Sequence, residues 1–291
     1  MEQLFVNAII SGSLYSLVAI GFALTFRTAG FFNFAHGAML AVGAYLTLAA
    51  HFSTGFPMSL CICLGILATG FLGCSFDFLF FRHLRLRSKT GLTSMITSIG
   101  IYGILQNSLS LAFGESTRRF QGAITNQGLD LGFAHITVPQ AWIIISAILV
   151  SGSTIAVLRA TNLGLKIRAL ADSADLASSV GVNRNNVILA ACFLGSGLAA
   201  LAGILMAFDV QMNPTMGLRP LMMAIVVVIV GGSNSIIGIV LAALLLGFAQ
   251  QFAAWWLPAQ WQDCVAFVVL VLSLILKPQG FFGNVLSKMD V

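Results

Sequence analysis

The chain has 291 residues, of which 58% are hydrophobic and only 8% are charged, with a net charge of +5. A soluble domain carries about 25% charged residues, so this composition excludes a soluble enzyme or a nucleic-acid-binding protein. Because roughly 20 apolar residues cross about 30 Å of hydrocarbon, the length allows eight or nine crossings. The composition predicts a polytopic membrane protein.

Uncharged stretches predict the spans in chain order. A stretch from 220 to 262 is interrupted by Gly231-Gly232-Ser233-Asn234-Ser235, and residues 265–276 form a short last span. Because 220–235 is short for a crossing, both eight and nine spans remain open, and nine is preferred. We therefore expect an all-α transmembrane helical bundle that forms a single transmembrane domain over residues 1–291. The six spans before residue 220 are predicted at about 4–26, 31–51, 57–81, 92–113, 140–158 and 187–208.

The basic residues predict the orientation. With the N-terminus outside and nine crossings, eleven of the 14 Lys and Arg residues fall on one face. Lys and Arg concentrate in cytoplasmic loops, so this face is predicted to be cytoplasmic and the chain to be multi-pass.

Few ionisable groups lie within the predicted spans. Asp77, Asp209 and Asp263 lie near span ends, where Asp77 can reach the interface or a basic neighbour, and His36 is the other candidate. Ion-driven carriers usually keep such a group in the membrane despite its cost. A proton relay or a voltage sensor is therefore disfavoured.

Nucleotide and metal chemistry are also disfavoured. A phosphate-binding loop needs a Lys preceded by Gly, and the four lysines follow Ser or Leu. The five cysteines lie in apolar runs with neither disulfide nor metal-site spacing. We predict no enzyme activity, catalytic residue, cofactor or metal, so uphill transport would draw its energy from another subunit.

The first informative motif interrupts the second span at Asn33 and His36, which are followed by Gly37. Asn33 and His36 are spaced to share one helical face. Lipid cannot satisfy the backbone groups that such a break frees, so breaks persist inside protein or along a watered pathway. A pathway-facing kink and a packing contact with a neighbouring span are equally compatible with the spacing.

The second break, at Ser233, Asn234 and Ser235, resembles the first one. In both, a polar interruption with Gly precedes an apolar helix. This likeness predicts interrupted helices and a weak internal repeat, an arrangement that transporters use to place a substrate site between two halves.

A loop at about 159–186 is predicted to lie in the cytoplasm. Small residues between Ala171 and Ser178 form one face of a short helix, which Gly181 is suited to end. Such a helix can dock into a groove on a partner or lie on the membrane surface.

Three segments resemble the LivH-type permease subunits of branched-chain amino-acid ABC importers. The order of the segments is kept and the resemblance covers essentially the full length. The segments are Asn33-Phe34-Ala35-His36-Gly37 with Gly43-Ala44-Tyr45-Leu46, the loop ending Gly181-Val182-Asn183, and Gly231-Gly232-Ser233-Asn234-Ser235 followed by Gly238.

The resemblance implies an importer subunit of the bacterial inner membrane that works by alternating access. Its partners would be a second, related permease, two cytoplasmic ATPases and an extracytoplasmic solute-binding protein. The segment from Asp175 through Ala177 to Gly181 is similar to the E-A-A-x-x-x-G loop that engages the ATPases, with Asp175 in place of Glu and Leu176 in place of the first Ala. Asn33, His36, Gly37 and Ser233–Ser235 are then candidates for lining the translocation pathway.

Three functional alternatives follow from these observations. Branched-chain or other hydrophobic amino acids are the first expectation. Urea or a short-chain amide is the alternative within the same family. An ion-coupled carrier or a channel that works alone is the alternative from another class.

Overall fold

The computed structural model describes residues 1–87, 91–120, 128–130 and 135–282. The described helices are α1 (Glu2–Ala29), α2 (Ala35–Thr54), α3 (Met58–Phe76), α4 (Arg82–Arg87), α5 (Gly91–Phe113), α6 (Val138–Ala160), α7 (Asn162–Asp172), α8 (Ala174–Ser179), α9 (Arg184–Asp209), α10 (Leu218–Gly231), α11 (Ile236–Trp256) and α12 (Gln262–Leu276). Strands β1 (Gly128–Asp130) and β2 (His135–Thr137) pair in antiparallel register, with Gly128 opposite Thr137.

The all-α bundle predicted from the sequence is confirmed. Within the described residues, seven helical stretches are long and apolar enough to cross a membrane, and α3 and α4 count as one of them. The helices α10 and α12 are apolar but shorter, with 14 and 15 residues. The two breaks also lie where they were predicted, between α1 and α2 and between α10 and α11.

The bundle has two distinct ends. The hairpin end carries β1 and β2, and the side chain of Gln3 exchanges two 3.0 Å hydrogen bonds with the backbone of His135 there. The loop-helix end carries α7 and α8, which follow directly from α6. A Thr137–Gln140 capping box starts α6 at the hairpin end, and such a box satisfies amide groups that the first turn leaves free.

The short helix α10 continues in one direction along the bundle and does not return to the end from which it starts. Arg219 near its start is ion-paired with Asp263 near the start of α12, at 2.8 Å. Beyond the end of α12, the amide of Phe281 donates to the carbonyl oxygen of Val230 near the end of α10, at 2.8 Å. The two helices therefore run side by side in one direction. These two short helices add to the seven described stretches that are long enough to cross a membrane, and the choice between eight and nine spans stays a prediction.

The helices α1 and α2 lie at the centre of the bundle. Every residue from Leu17 to Thr25 in α1 is buried, which is typical of a helix that is apolar on all sides. The outer helices α3, α5, α6 and α12 instead expose large apolar side chains, among them Phe71, Ile96, Ile148 and Ile275. These faces suit contact with lipid or with another membrane subunit.

Helices α2 and α9 cross at very short range. A Cβ atom on Gly43 would lie 2.5 Å from the Cα of Ala200, and one on Gly203 would overlap the backbone of Leu40. Small residues of this kind let two backbones approach closely in a membrane. The crossing therefore depends on the absence of side chains at Gly43 and Gly203.

The third predicted span continues further than expected. A π-helical turn at Asp77–Phe81 joins α3 to α4. The Asp77 carboxylate accepts hydrogen bonds from both terminal nitrogens of Arg85, at 2.6 and 3.0 Å. Arg85 is thus the basic neighbour that neutralises this buried acid.

Candidate functional site

A polar cavity of about 510 Å³ opens at the hairpin end. The hairpin-end half of α1, the end of α9, the segment 210–217, the start of α10 and the facing ends of α11 and α12 form its walls. The polar residues that line it are Ser11, Tyr15, Asp209, Gln211, Asn213, Thr215, Arg219, Gln250, Gln251 and Gln262.

The shortness of α10 leaves room for this cavity. Its 14 residues span about 21 Å, whereas the 26 residues of α9 span about 39 Å. The segment from Val210 to Gly217 forms no helix, and within it Met212 exchanges backbone hydrogen bonds with Arg118. Because α10 begins only at Leu218, its first turn lies at the floor of the cavity.

A chain of hydrogen bonds runs along one wall. The Tyr15 hydroxyl donates to the side-chain oxygen of Gln250 at 2.7 Å. The Gln250 amide donates to the carbonyl oxygen of Gln262 at 3.2 Å. Arg219 then donates to Asp263 at 3.0 and 2.8 Å. This wall thus joins α1, α11, α12 and α10 through polar groups.

The opposite wall combines one acid with apolar groups. Asp209 accepts hydrogen bonds from the side chains of Gln140 and Thr137, which hold its carboxylate at the end of α9. The apolar lining comes from Ile10, Leu14, Ile143, Met206, Val210, Met216 and Pro220. A cavity with an acid, a base and an apolar surface can hold a zwitterion that carries an apolar side chain.

The first predicted break lies beside this cavity, in the packed interior. Asn33 accepts a hydrogen bond from the amide of Ala35 at 3.1 Å, just before the start of α2, where Phe34 is the N-cap residue. His36 is 1% exposed and packs edge-on against Phe22 at 5.9 Å. Its Nε2 atom has no hydrogen-bond partner among the described residues. The surroundings of His36 are therefore those of a packing residue.

Gly37 links the first break to the cavity floor. A Cβ atom on Gly37 would lie 3.1 Å from the carbonyl oxygen of Gly217 and 3.0 Å from a methyl group of Leu221. The start of α2 thus packs directly against the start of α10 at the cavity floor.

The second predicted break lies at the loop-helix end. Ser235 caps α11 by accepting a hydrogen bond from the amide of Gly238 at 3.0 Å. Asn234 and Ser235 line a separate cavity together with Arg27, Arg159 and Arg168. Ser233 is half-buried beside them. The two breaks thus have different surroundings, and they also differ in capping, because Ser235 caps α11 whereas α2 starts without a side-chain cap among the described residues.

The predicted loop helix is two helices. Ser173 separates α7 from α8 and caps α8 through the amide of Leu176. Asp175 is exposed, whereas Ala177 is 3% exposed and belongs to the core. Gly181 ends α8 with φ at +89°, a conformation that glycine adopts without strain. Ala177 therefore faces inward whereas Ser178 is exposed, and the outer face of α8 together with its C-cap residue presents Leu176 and Val180, which are 70% and 79% exposed.

Tyr15 and Gln250 in the cavity wall were not among the site residues predicted from the sequence. The available signal was a polar pair, Gln250-Gln251, within an otherwise apolar helix. Such a pair costs free energy in lipid unless it faces protein or water. Which helix it would meet could not be read from hydropathy.

Comparisons with known proteins give a consistent family match. Residues 4–274 match the family described as the permease component of the branched-chain amino acid transport system. The high-affinity branched-chain amino acid transport system permease protein LivH of Salmonella typhimurium is 31% identical, over 98% of this chain and 96% of that protein. The corresponding protein BraD of Pseudomonas aeruginosa is 29% identical, over 97% and 95%.

A solved structure shares the fold. The structure of PsaBC from Streptococcus pneumoniae in complex with Fab matches with a TM-score of 0.52 and 12% identity, over 95% of this chain and 92% of that one. The sequence match extends over nearly the whole length of the chain. The chain therefore belongs to the family of branched-chain amino acid transport system permease components.

Proposed function

We propose that this chain is the membrane-spanning permease subunit of an ABC importer that carries branched-chain or other hydrophobic amino acids across the bacterial inner membrane. The observation that carries the proposal is the family match over residues 4–274. Relatives named as high-affinity branched-chain amino acid permeases support the substrate class.

The hairpin-end cavity is the proposed outward-facing part of the pathway. Asp209 would receive the substrate ammonium group and Arg219 its carboxylate, while Ile10, Ile143 and Met206 would contact the apolar side chain. A volume of about 510 Å³ lies within the range of small-molecule sites, roughly 300–1,000 Å³. Urea lacks both charges and the apolar group, so this lining favours an amino acid.

The loop-helix end is proposed to face the cytoplasm, since Arg27, Arg159 and Arg168 cluster there. Substrate would leave the cavity past its floor, where Gly37 supports Gly217. Asn33 and His36 flank this floor, and Ser233, Asn234 and Ser235 would lie beside the cytoplasmic exit. Alternating access would then require α10 to move against α2.

Coupling to the ATPases is assigned to α8. Leu176 and Val180 form an exposed apolar surface with Asp175 beside it. Ala177 would anchor α8 to the bundle, and Gly181 would set the direction of the chain after it. A short helix that packs against the core on one side can transmit the movement of a bound ATPase to the transmembrane helices.

The complete importer would contain a second, related permease, two cytoplasmic ATPases and an extracytoplasmic binding protein. The exposed apolar faces of the outer helices are available to the second permease and to lipid. Nucleotide hydrolysis would take place only in the ATPases.

The test is a pull-down of the tagged chain from native membranes, followed by uptake assays of the recovered complex in liposomes. We expect ATPase subunits to co-purify and leucine uptake to require ATP. ATP-driven uptake of urea in place of leucine would indicate that the chain is a urea permease of the same family. Ion-driven uptake by the purified chain alone would contradict the proposal.

A variant locates the coupling surface. Leu176→Glu should lower ATPase recovery about tenfold or more, because it places a charge in an apolar contact. Leu165→Glu on α7, where Leu165 is 59% exposed, is the matched control and should keep recovery. Equal recovery in both variants and the wild type would remove α8 from the contact.

A further inference from the structure

A second cavity, of about 310 Å³, lies at the loop-helix end. It is bounded by the last turns of α1 and α6, by α7 and by the start of α11. Three guanidinium groups line it, those of Arg27, Arg159 and Arg168, together with Asn234 and Ser235. We call it the basic cavity. Translocation of a zwitterion does not require three cations at one place.

The charges of the basic cavity are not balanced within it. Among the described residues that line it, none is acidic, and Asp172 on α7 interacts electrostatically with Arg27 from outside the lining. The Nε atom of Arg27 is buried and has no hydrogen-bond partner among the described residues. A buried guanidinium group without a full set of acceptors is costly, so an anion would satisfy it.

The start of α11 adds to the positive potential. Ser235 caps this helix and accepts a hydrogen bond from the amide of Gly238. The other amide groups of the first turn lie near the cavity because residues of this turn line it. The N-terminus of a helix attracts anions through these groups and through the helix dipole. Together with the arginines it provides a site for a phosphate group.

The remaining lining of the basic cavity is apolar. Ile155, Leu158 and Ile236 form this part, and neighbouring Ile237 is 48% exposed at the bundle surface. A free phosphate gains nothing from such a wall, whereas an acyl chain can lie along it. The combination of a cationic pocket and an adjoining apolar surface therefore selects an amphiphilic anion.

We propose that the basic cavity binds an anionic phospholipid from the cytoplasmic leaflet, with the headgroup phosphate between the three arginines and an acyl chain along Ile155 and Ile237. Basic pockets between helices on the cytoplasmic side are suited to lipid headgroups. A lipid bound here would brace α1 and α6 against α7, which leads directly to α8.

The test is native mass spectrometry of the delipidated, full-length chain titrated with phosphatidylglycerol or phosphatidylcholine. We expect phosphatidylglycerol to bind at least about tenfold more tightly. Arg168→Gln and Arg159→Gln should each lower its affinity about fivefold, in line with roughly 1 kcal/mol for one basic residue near an anionic membrane surface. Both side chains are exposed, so these variants should fold even if Arg27→Gln does not.

Arg184→Gln is the matched control, because Arg184 is exposed at the start of α9 and lies outside the cavity lining. An equal loss of affinity in this control would overturn the proposal. Equal affinity for phosphatidylglycerol and phosphatidylcholine would also overturn the proposal. Full competition by millimolar inorganic phosphate would show a free-anion site instead of a lipid site. Loss of lipid binding when the ATPases assemble would show that a protein segment occupies the cavity.

Discussion

The hydroxyl of Tyr15 donates a hydrogen bond to the side-chain oxygen of Gln250 over 2.7 Å, and the bond joins α1 to α11. Gln250 is 2% exposed and also donates to the backbone of Gln262 and approaches the sulfur of Met223. One carboxamide on α11 therefore contacts three other helices, α1, α10 and α12, at the wall of the hairpin-end cavity.

Replacing Gln250 by Leu should lower leucine uptake about tenfold or more at equal protein level. The change leaves the Tyr15 hydroxyl without its acceptor and makes the cavity wall apolar. Tyr15→Phe should have a smaller effect, since a single hydrogen bond in a membrane protein contributes about 0.6 kcal/mol on average. Labelled leucine uptake, normalised by immunoblot, measures both variants. Asn107→Leu is the control, because Asn107 is exposed on α5 and its side chain donates to the carbonyl oxygen of Gly103 in the same helix; a comparable loss in this variant would refute a role for the cavity.

Asp209→Asn should lower kcat/KM for leucine about tenfold, which corresponds to about 1.4 kcal/mol. The amide keeps the size of the carboxylate but cannot neutralise the substrate ammonium group. Initial rates over a range of leucine concentrations give the value. Glu115→Gln removes an exposed charge at the same end, outside the cavity lining, and should leave the rate unchanged. Unaltered kinetics in Asp209→Asn would show that the ammonium group binds elsewhere.

His36→Ala and His36→Phe separate packing from a pathway role. The ring of His36 fills a buried space beside Phe22, so Ala should destabilise the protein by roughly 3 kcal/mol, as for other buried aromatic truncations. Phe keeps the ring and should retain most of the stability. Thermal unfolding in detergent and leucine uptake are measured together. If His36→Phe is stable and inactive, the imidazole serves transport directly; if it is stable and active, packing is its role.

The sequence was sufficient to predict the bundle and both breaks, because uncharged stretches and Gly-rich interruptions are local features. It could not predict the cavity wall. Tyr15 and Gln250 are 235 positions apart, and their contact depends on how α1 and α11 pack. Nor could it show that Ala177 faces inward while Leu176 faces outward, since this depends on the break at Ser173, which starts a new helix.

Gly203→Ala should destabilise the bundle at the crossing of α2 and α9. The new methyl group would overlap the backbone of Leu40, and overpacking typically costs about 1–3 kcal/mol. We expect the melting temperature in detergent to fall by roughly 2–12 °C, at about 2–4 °C per kcal/mol. Gly103→Ala on α5 is the control, because no described atom lies within 4 Å of its added methyl group. It should be neutral or slightly stabilising, since Ala favours helix. A lower melting temperature in Gly103→Ala alone would contradict the close crossing.

The pair Asp77–Arg85 should behave as a unit. Their side chains are only 2% and 10% exposed, so removing one partner leaves a buried charge unpaired, at a cost of about 3–5 kcal/mol. Asp77→Asn and Arg85→Gln should each lower the melting temperature strongly, whereas the double variant should be more stable than the sum of the two losses predicts. The exposed pair Arg219–Asp263 provides the comparison, with a coupling of about 0–1 kcal/mol. Additive losses at Asp77 and Arg85 would show that the π-helical turn, rather than the ion pair, holds α3 and α4 together.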